Sequence, residues 1–268
     1  MNLVLHFAAQ DHVAVCLEER VPILSLFWGD PTPYVGRAHA AGTKVFHQVG
    51  SVADAQRAAD AGVDVIIAQG VEAGGHVAGE VSTLALVPRV VDAVAPRPVA
   101  AAGGVGDARG VVAVLALGAQ AAVLGTRFLA STESHAHPHY KERLLAANEG
   151  DTVRTVLFGH GWPNAPHRAL RTAFVQEWLG REARGQESLP DEPVVGRTVI
   201  GGQPLPVPRF VSLPPNCDAG GDIDSMSLLA GQGVGLVREV KPAGQIVHEL
   251  VEEARQIISR RLVGLVED

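Results

Sequence analysis

The chain has 268 residues, 47% hydrophobic and only 4% aromatic, so a sizeable core must be built from Val, Leu, Ile and Ala. Its 22 basic residues against 29 acidic ones leave a formal charge of -7, which excludes the cationic surface that would neutralise a nucleic-acid backbone. Two cysteines far apart in sequence, Cys16 and Cys217, exclude a disulfide framework and a Cys-x-x-Cys metal site.

The first twenty residues carry no basic leader and are interrupted by Asp11 and Glu18, unlike a signal peptide. The longest apolar stretch, VVAVLALGAQAAVLG from Val111, is broken by Gly118 and Gln120 and is too short to span a bilayer. A soluble, cytoplasmic protein is therefore expected, without nucleic-acid or membrane partners.

From residue 2 to residue 129 short β-rich runs alternate with amphipathic or Ala-rich stretches. The strand candidates are NLVLHF from Asn2, ILSLFW from Ile23, KVFHQV from Lys44, VDVIIAQ from Val63, PVAAAG from Pro98 and AAVLGT from Ala121. Spacings of about 20 to 35 residues leave room for helical crossovers and predict a parallel sheet of the α/β class. Ser51 followed by Asp54 resembles a capping box, Gly62 stands where that helix should stop, and Asp107 is placed to cap a helix ending near Gly118.

After about residue 130 the rhythm stops. A helix is predicted over 139–148, and TVIGGQPLPVPRFVSLPPNCDAGGDIDS reads as irregular or extended chain. A last helix over 243–263 carries Ile246, Leu250, Ala254, Ile257 and Leu262 at helical spacing. The expected organisation is six βα units over 1–131 and a C-terminal helical and irregular cap over 132–268.

Ligands of parallel α/β proteins bind beyond the C-terminal ends of the strands, which directs attention to QGVEAGGH from Gln69, AGGVG from Ala102 and LGT from Leu124. Glycine there lets backbone N–H groups approach an anion, so Gly103-Gly104 with Gly125-Thr126 would form a phosphate cup. The alternative is that these glycines only make tight turns. His76, on a glycine-flexed loop, is the candidate for proton transfer near neutral pH.

Asn2, His47 and Gln48 lie in or at the ends of their strands and are further ligand candidates, although strand side chains alternate in direction. His135, His137 and His139 alternate around Pro138, and no carboxylate or thiol spacing in the sequence completes a metal site, so none is expected. GGVGDARG departs from G-x-G-x-x-G, no Walker A occurs, and AGQGVG from Ala230 has no strong strand before it.

AQGVEAGGHVAG from Ala68 closely resembles the nitronate monooxygenase family, and PVAAAGGVGDARGVVAVLALGAQAAVLGTRFLAS, WGDPTPYV, FGHGWPNAPHRALR and LLAGQGVGLV are similar to it as well. The resemblance implies a TIM-type (β/α) barrel holding FMN through Asn2, Gln69, Gly74, Gly103, Gly104, Leu124, Gly125 and Thr126, with His76 as the active-site histidine. It also implies oxidation of an alkyl nitronate or nitroalkane by O₂ to a carbonyl compound and nitrite, and is compatible with a homo-oligomer. Val123 stands where many relatives have Gln. Six strand candidates, against eight in a closed barrel, lead to the expectation of a barrel lacking its first two strands, with residues 2–7 in the third position. The alternatives are a flavin-dependent enoyl-acyl-carrier-protein reductase, similar through the same EAGGH motif, and a truncated flavin-binding remnant without turnover.

Overall fold

The computed structural model describes residues 1–7 and 9–265. They form two compact units. The first comprises Met1–Val71, Ala78–Gly103 and Val111–Val123; the second comprises Glu72–Val77, Gly104–Gly110 and the chain from Leu124. Two strand-end loops, Glu72–Val77 and Gly104–Gly110, thus group with the C-terminal half.

In chain order the first half contains β1 (Asn2–Val4), α1 (Ala9–Glu18), β2 (Ile23–Phe27), α2 (Thr32–Ala40), β3 (Lys44–Val49), α3 (Val52–Asp60) and β4 (Val65–Gln69). The short β5 (Gly75–His76) follows, then α4 (Thr83–Val94), β6 (Val99–Ala102), α5 (Ala108–Ala116) and β7 (Ala121–Val123). All six predicted strands are present, most of them shorter than expected, and they form one sheet in the order β1-β2-β3-β4-β6-β7. Every pairing in it is parallel. The α/β class read from the sequence holds, and among the described residues the sheet is open, with β1 and β7 at its edges.

Register and alternation define two sheet faces. Leu26, His47 and Ile66 stand side by side on one, and Gln48, Ile67 and Ala100 on the other. Leu24, Leu26, Val45 and Ile66 are wholly buried, each contributing roughly 1.5–3 kcal/mol by leaving water. The helix caps follow the sequence. Asp54 N–H donates to Ser51 Oγ at 3.1 Å, and the Ser51 hydroxyl returns a bond to the Asp54 carboxylate at 2.6 Å. The chain leaves α3 through Gly62 at φ +90°, a conformation that favours glycine.

The second unit adds α6 (Thr126–Leu129), α7 (Pro138–Ala146), β8 (Thr152–Thr155), β9 (His167–Leu170), α8 (Ala173–Trp178), β10 (Val194–Ile200), β11 (Gln203–Pro208), β12 (Gly220–Gly221) and α9 (Ala243–Gln256). Two small sheets occur here, β5-β9-β8 and β11-β10-β12. The segment expected to be irregular thus contains a hairpin, turning at Gly201 and Gly202, both with positive φ. A Gly-Gly pair between two extended runs is the sequence signal that identifies it. Pro204, Pro206 and Pro208 lie on β11, an edge strand, where a missing N–H breaks no inner ladder. The predicted final helix ends earlier than expected, at Gln256, and continues as a π-helical turn, Ile257–Leu262. Tyr140, Leu144, Met226 and Leu228 form one buried cluster of this unit and Phe158, Val175 and Phe210 belong to another.

Candidate active site

In the first unit, β4 and β6 are paired so that Gln69 stands opposite Ala102, the residue before Gly103. The fold therefore brings the predicted Gln69 and Gly103 together at adjacent strand ends. Gln69 is 4% exposed. Gly103 has φ +107°, a conformation closed to most side chains, and its carbonyl accepts the Thr83 hydroxyl at 2.9 Å. Asn2 lies elsewhere. It is exposed at the start of β1, opposite Ser25, with β2 and β3 standing between β1 and β4.

His47, the other strand candidate, alternates away from Gln48 and shares its face with Leu26 and Ile66. Desolvation depresses its pKa, opposed by the Leu26 carbonyl and by Asp54 and Asp30.

In the second unit the segment 230–235 joins the predicted loops. Gly231 N–H donates to Thr126 Oγ1 at 3.0 Å, and Gln232 N–H donates to the Glu72 carbonyl at 2.9 Å. The approach is backbone to backbone. A Cβ on Gly74 would stand 2.4 Å from Gly231 N, and one on Gly233 would stand 2.8 Å from the Gly104 carbonyl oxygen. Gly74 is thus required for packing whatever it binds. The AGQGVG run, unremarkable as a nucleotide fingerprint, serves as a strap across Gly74, Gly104 and Thr126; no local pattern shows this, because its partners are far away in sequence.

Around those contacts the remaining residues stay accessible. Gly104 is exposed at φ +73°, Leu124 is half-buried, and nothing lies within 4 Å of where a Cβ on Gly125 would stand. Because Thr126 Oγ1 accepts from Gly231, its own proton is directed elsewhere.

His76 is held by pairing and by stacking. β5 runs antiparallel to β9 with His76 opposite His167, and Val77 N–H donates to the Pro166 carbonyl at 2.8 Å. The His76 ring stacks on Trp162, itself only 5% exposed, with centroids 3.8 Å apart and planes 23° from parallel. His167 lies 5.3 Å away. It is fully buried; Nδ1 faces the Ala165 carbonyl at 3.0 Å, and Nε2 accepts the Phe158 N–H at 3.2 Å. Desolvation lowers its pKa to about 4, so it is neutral and carries its proton on Nδ1. Sequence reading found His76 but missed Trp162 and His167, which follow none of the predicted strands in sequence.

The alternating histidines do not act together. His137 caps α7 by accepting His139 N–H, His139 pairs with Asp224 at 3.1 Å, and His135 meets Asp218 at 3.3 Å and Cys217 Sγ at 3.2 Å. No sequence spacing shows this group, because backbone bonds between 135–137 and 215–217 bring Cys217 and Asp218 to His135. All three side chains are exposed.

Residues 2–253 match the family model for nitronate monooxygenase. A nitronate monooxygenase of Pseudomonas aeruginosa is 36% identical over 89% of this chain and 65% of its own length. Among solved structures, FabK from Thermotoga maritima is 35% identical and superposes with a TM-score of 0.79 over 98% of this chain and 78% of that one. Nitroalkane oxidase from Streptomyces ansochromogenes is 33% identical, with a TM-score of 0.73 over 92% of this chain and 69% of that one. The chain spans between 57% and 65% of the length of the first curated relatives it matches. The motif at Gln69–His76, the glycine-bearing strand ends and this match over nearly the whole sequence agree, and the chain belongs to the nitronate monooxygenase family.

Proposed function

We propose that this protein is a flavin enzyme that oxidises alkyl nitronates with O₂, giving a carbonyl compound and nitrite, with FMN as its cofactor. The observation that carries the reading is His76, on the loop after β4, held by ladder pairing and by its stack on Trp162. Such fixing orients an imidazole toward a reacting atom, and positioning is a large part of what an active site contributes.

The residues fit an anionic phosphate. Gly125 has an open approach, Gly104 is exposed, and Thr126 retains a proton to donate. Gly103, Gly104, Gly125 and Thr126 are assigned to the phosphate, and Gln69, Gly74 and Leu124 to the rest of FMN. Asn2 is assigned from its motif alone. When bound, FMN supplies the electron acceptor for the oxidation. His76 donates a hydrogen bond to the negative charge of a nitronate or, with a neutral nitroalkane, takes the α-proton onto its ring nitrogen. Trp162 covers one face of that ring and keeps water from it.

The test is nitrite release from ethyl nitronate by the FMN-loaded protein in air. Nitrite and acetaldehyde in equal amounts are expected, and their absence overturns the reading. The flavin-dependent enoyl reductase, similar through the same EAGGH motif, is the second reading. Rapid anaerobic reduction of the flavin by NAD(P)H would select it, whereas bound FMN with neither activity would select a binding protein without turnover.

A further inference from the structure

The second unit brings three metal-ligating side chains to one place, none of them assigned to flavin or substrate: His135, Cys217 and Asp218. One ligand atom of each lies within 4.8 Å of the other two. His135 Nε2 is the shared point, 3.3 Å from Asp218 Oδ2 and 3.4 Å from Cys217 Sγ. In a tetrahedral zinc site with bonds of about 2.0–2.3 Å, neighbouring donor atoms stand roughly 3.3–3.6 Å apart. The separations around His135 are those of donors that share one such ion. Hydrogen bonding accounts for the cluster less well. Cys217 Sγ is 3.2 Å from Nδ1 and 3.4 Å from Nε2. The lone pairs of the two ring nitrogens diverge, so a sulfur nearly equidistant from both is in line with neither. A turn of the exposed His135 ring points Nε2 between the sulfur and the carboxylate.

The backbone already holds the donors in place. Cys217 N–H donates to the His135 carbonyl at 2.8 Å, His137 N–H donates to the Pro215 carbonyl at 3.1 Å, and Ala136 pairs with Asn216 in a short bridge. Asn216 fixes the turn that follows. Its Oδ1 accepts the Thr198 hydroxyl at 2.8 Å and Asp218 N–H at 3.0 Å, and its Nδ2 donates to the Val199 carbonyl at 3.0 Å. An ion binding there orders side chains only, which keeps the entropic cost of binding low. All three side chains are exposed, which gives an ion a path in and leaves room for water beside it.

We propose that His135, Cys217 and Asp218 form a zinc site, with three protein ligands and a water in the fourth position, that ties the segment before α7 to the segment after β11. Sulfur, imidazole nitrogen and one carboxylate oxygen suit Zn²⁺, whereas Mg²⁺ and Ca²⁺ take shells of oxygen. On binding, the Cys217 thiol releases its proton to solvent and the sulfur bonds to the ion. His135 and Cys217 are 82 residues apart, so the ion closes a long loop and favours the folded chain. The inference is independent of the nitronate reading.

Titration calorimetry with Zn²⁺ and with Mg²⁺ tests it on the whole untagged chain and on His135→Ala, Cys217→Ser and Asp218→Asn, with circular dichroism reporting folding. One tightly bound Zn²⁺ per chain is expected, weakened about tenfold or more by each substitution, and no Mg²⁺. Co²⁺ used as a spectroscopic probe should give a thiolate-to-metal charge-transfer band in the wild type and none in Cys217→Ser. No zinc binding, Mg²⁺ bound as tightly, undiminished affinity in any of the three variants, or a Co²⁺ complex without the thiolate band overturns the proposal. If the variants do not fold, the wild type decides. Cys217 is exposed and Cys16 buried, so a thiol reagent reports on Cys217. Zn²⁺, and not Mg²⁺, must slow that reaction, and an unslowed reaction overturns the proposal.

Discussion

The ring of His76 lies face to face with that of Trp162 at a centroid distance of 3.8 Å. A face contact fixes the plane of an imidazole without using its in-plane nitrogens, so Trp162 acts as a positioning residue for His76. Trp162→Leu is expected to lower kcat for a nitronate about tenfold with a smaller change in KM, and Trp162→Phe should recover most of that loss. Steady-state kinetics of the two variants check this; an equal loss in both would mean that Trp162 only fills space.

His76 is the residue proposed to meet the substrate, and its replacement tests that role. His76→Ala should fold and bind FMN, since the residue is half-buried and its strand pairing is made by backbone. Turnover should fall by about 10²- to 10⁴-fold. The loss should be greatest with a neutral nitroalkane, where a proton must leave carbon. Nitrite assays with nitroethane and with ethyl nitronate, side by side, measure the difference.

Two glycines, one in the strap at 230–235 and one in α9, carry opposite predictions. A Cβ on Gly231 would stand 2.9 Å from both the Glu72 carbonyl oxygen and Gly74 N, so Gly231→Ala should destabilise the chain by about 1–3 kcal/mol. On Gly244 in α9 a Cβ meets nothing within 4 Å, and Gly244→Ala should stabilise by about 0.4–1 kcal/mol. Urea denaturation of both proteins gives the two signs.

His167 makes stability depend on pH. Burial lowers its pKa from the ordinary 6.5 to about 4, so the unfolded chain binds the proton more readily than the folded one. Stability from this group is full above pH 6.5 and is lost as pH falls toward 4, a decline of about 3 kcal/mol. His47, shifted in the same direction by desolvation, adds to the decline. Asp64 acts in a separate, lower window: burial raises its pKa but hydrogen bonds from Val45 N–H, His39 and Lys44 outweigh it and hold it at about 2. Urea midpoints measured between pH 7 and 4 should flatten in His167→Gln; an unchanged slope would show that His167 is not the group responsible.

The sequence alone determined whatever depends on near neighbours. Hydrophobic runs spaced for helical crossovers specified six parallel strands, and Ser51 with Asp54 specified the start of α3. Tertiary structure decided what depends on distant residues meeting. Gly74 and Gly104 proved to be points of contact for a strap more than 120 residues downstream, which no spacing rule detects. His47 turned away from the face of Gln48 because side chains alternate across a strand, and only the register with β2 and β4 says which face is which. Cys217 came to His135 through backbone pairing of two loops, each featureless by itself. His76 was visible from its motif, but the Trp162 ring that orients it and the neutral His167 beside it became partners only when β5 paired with β9.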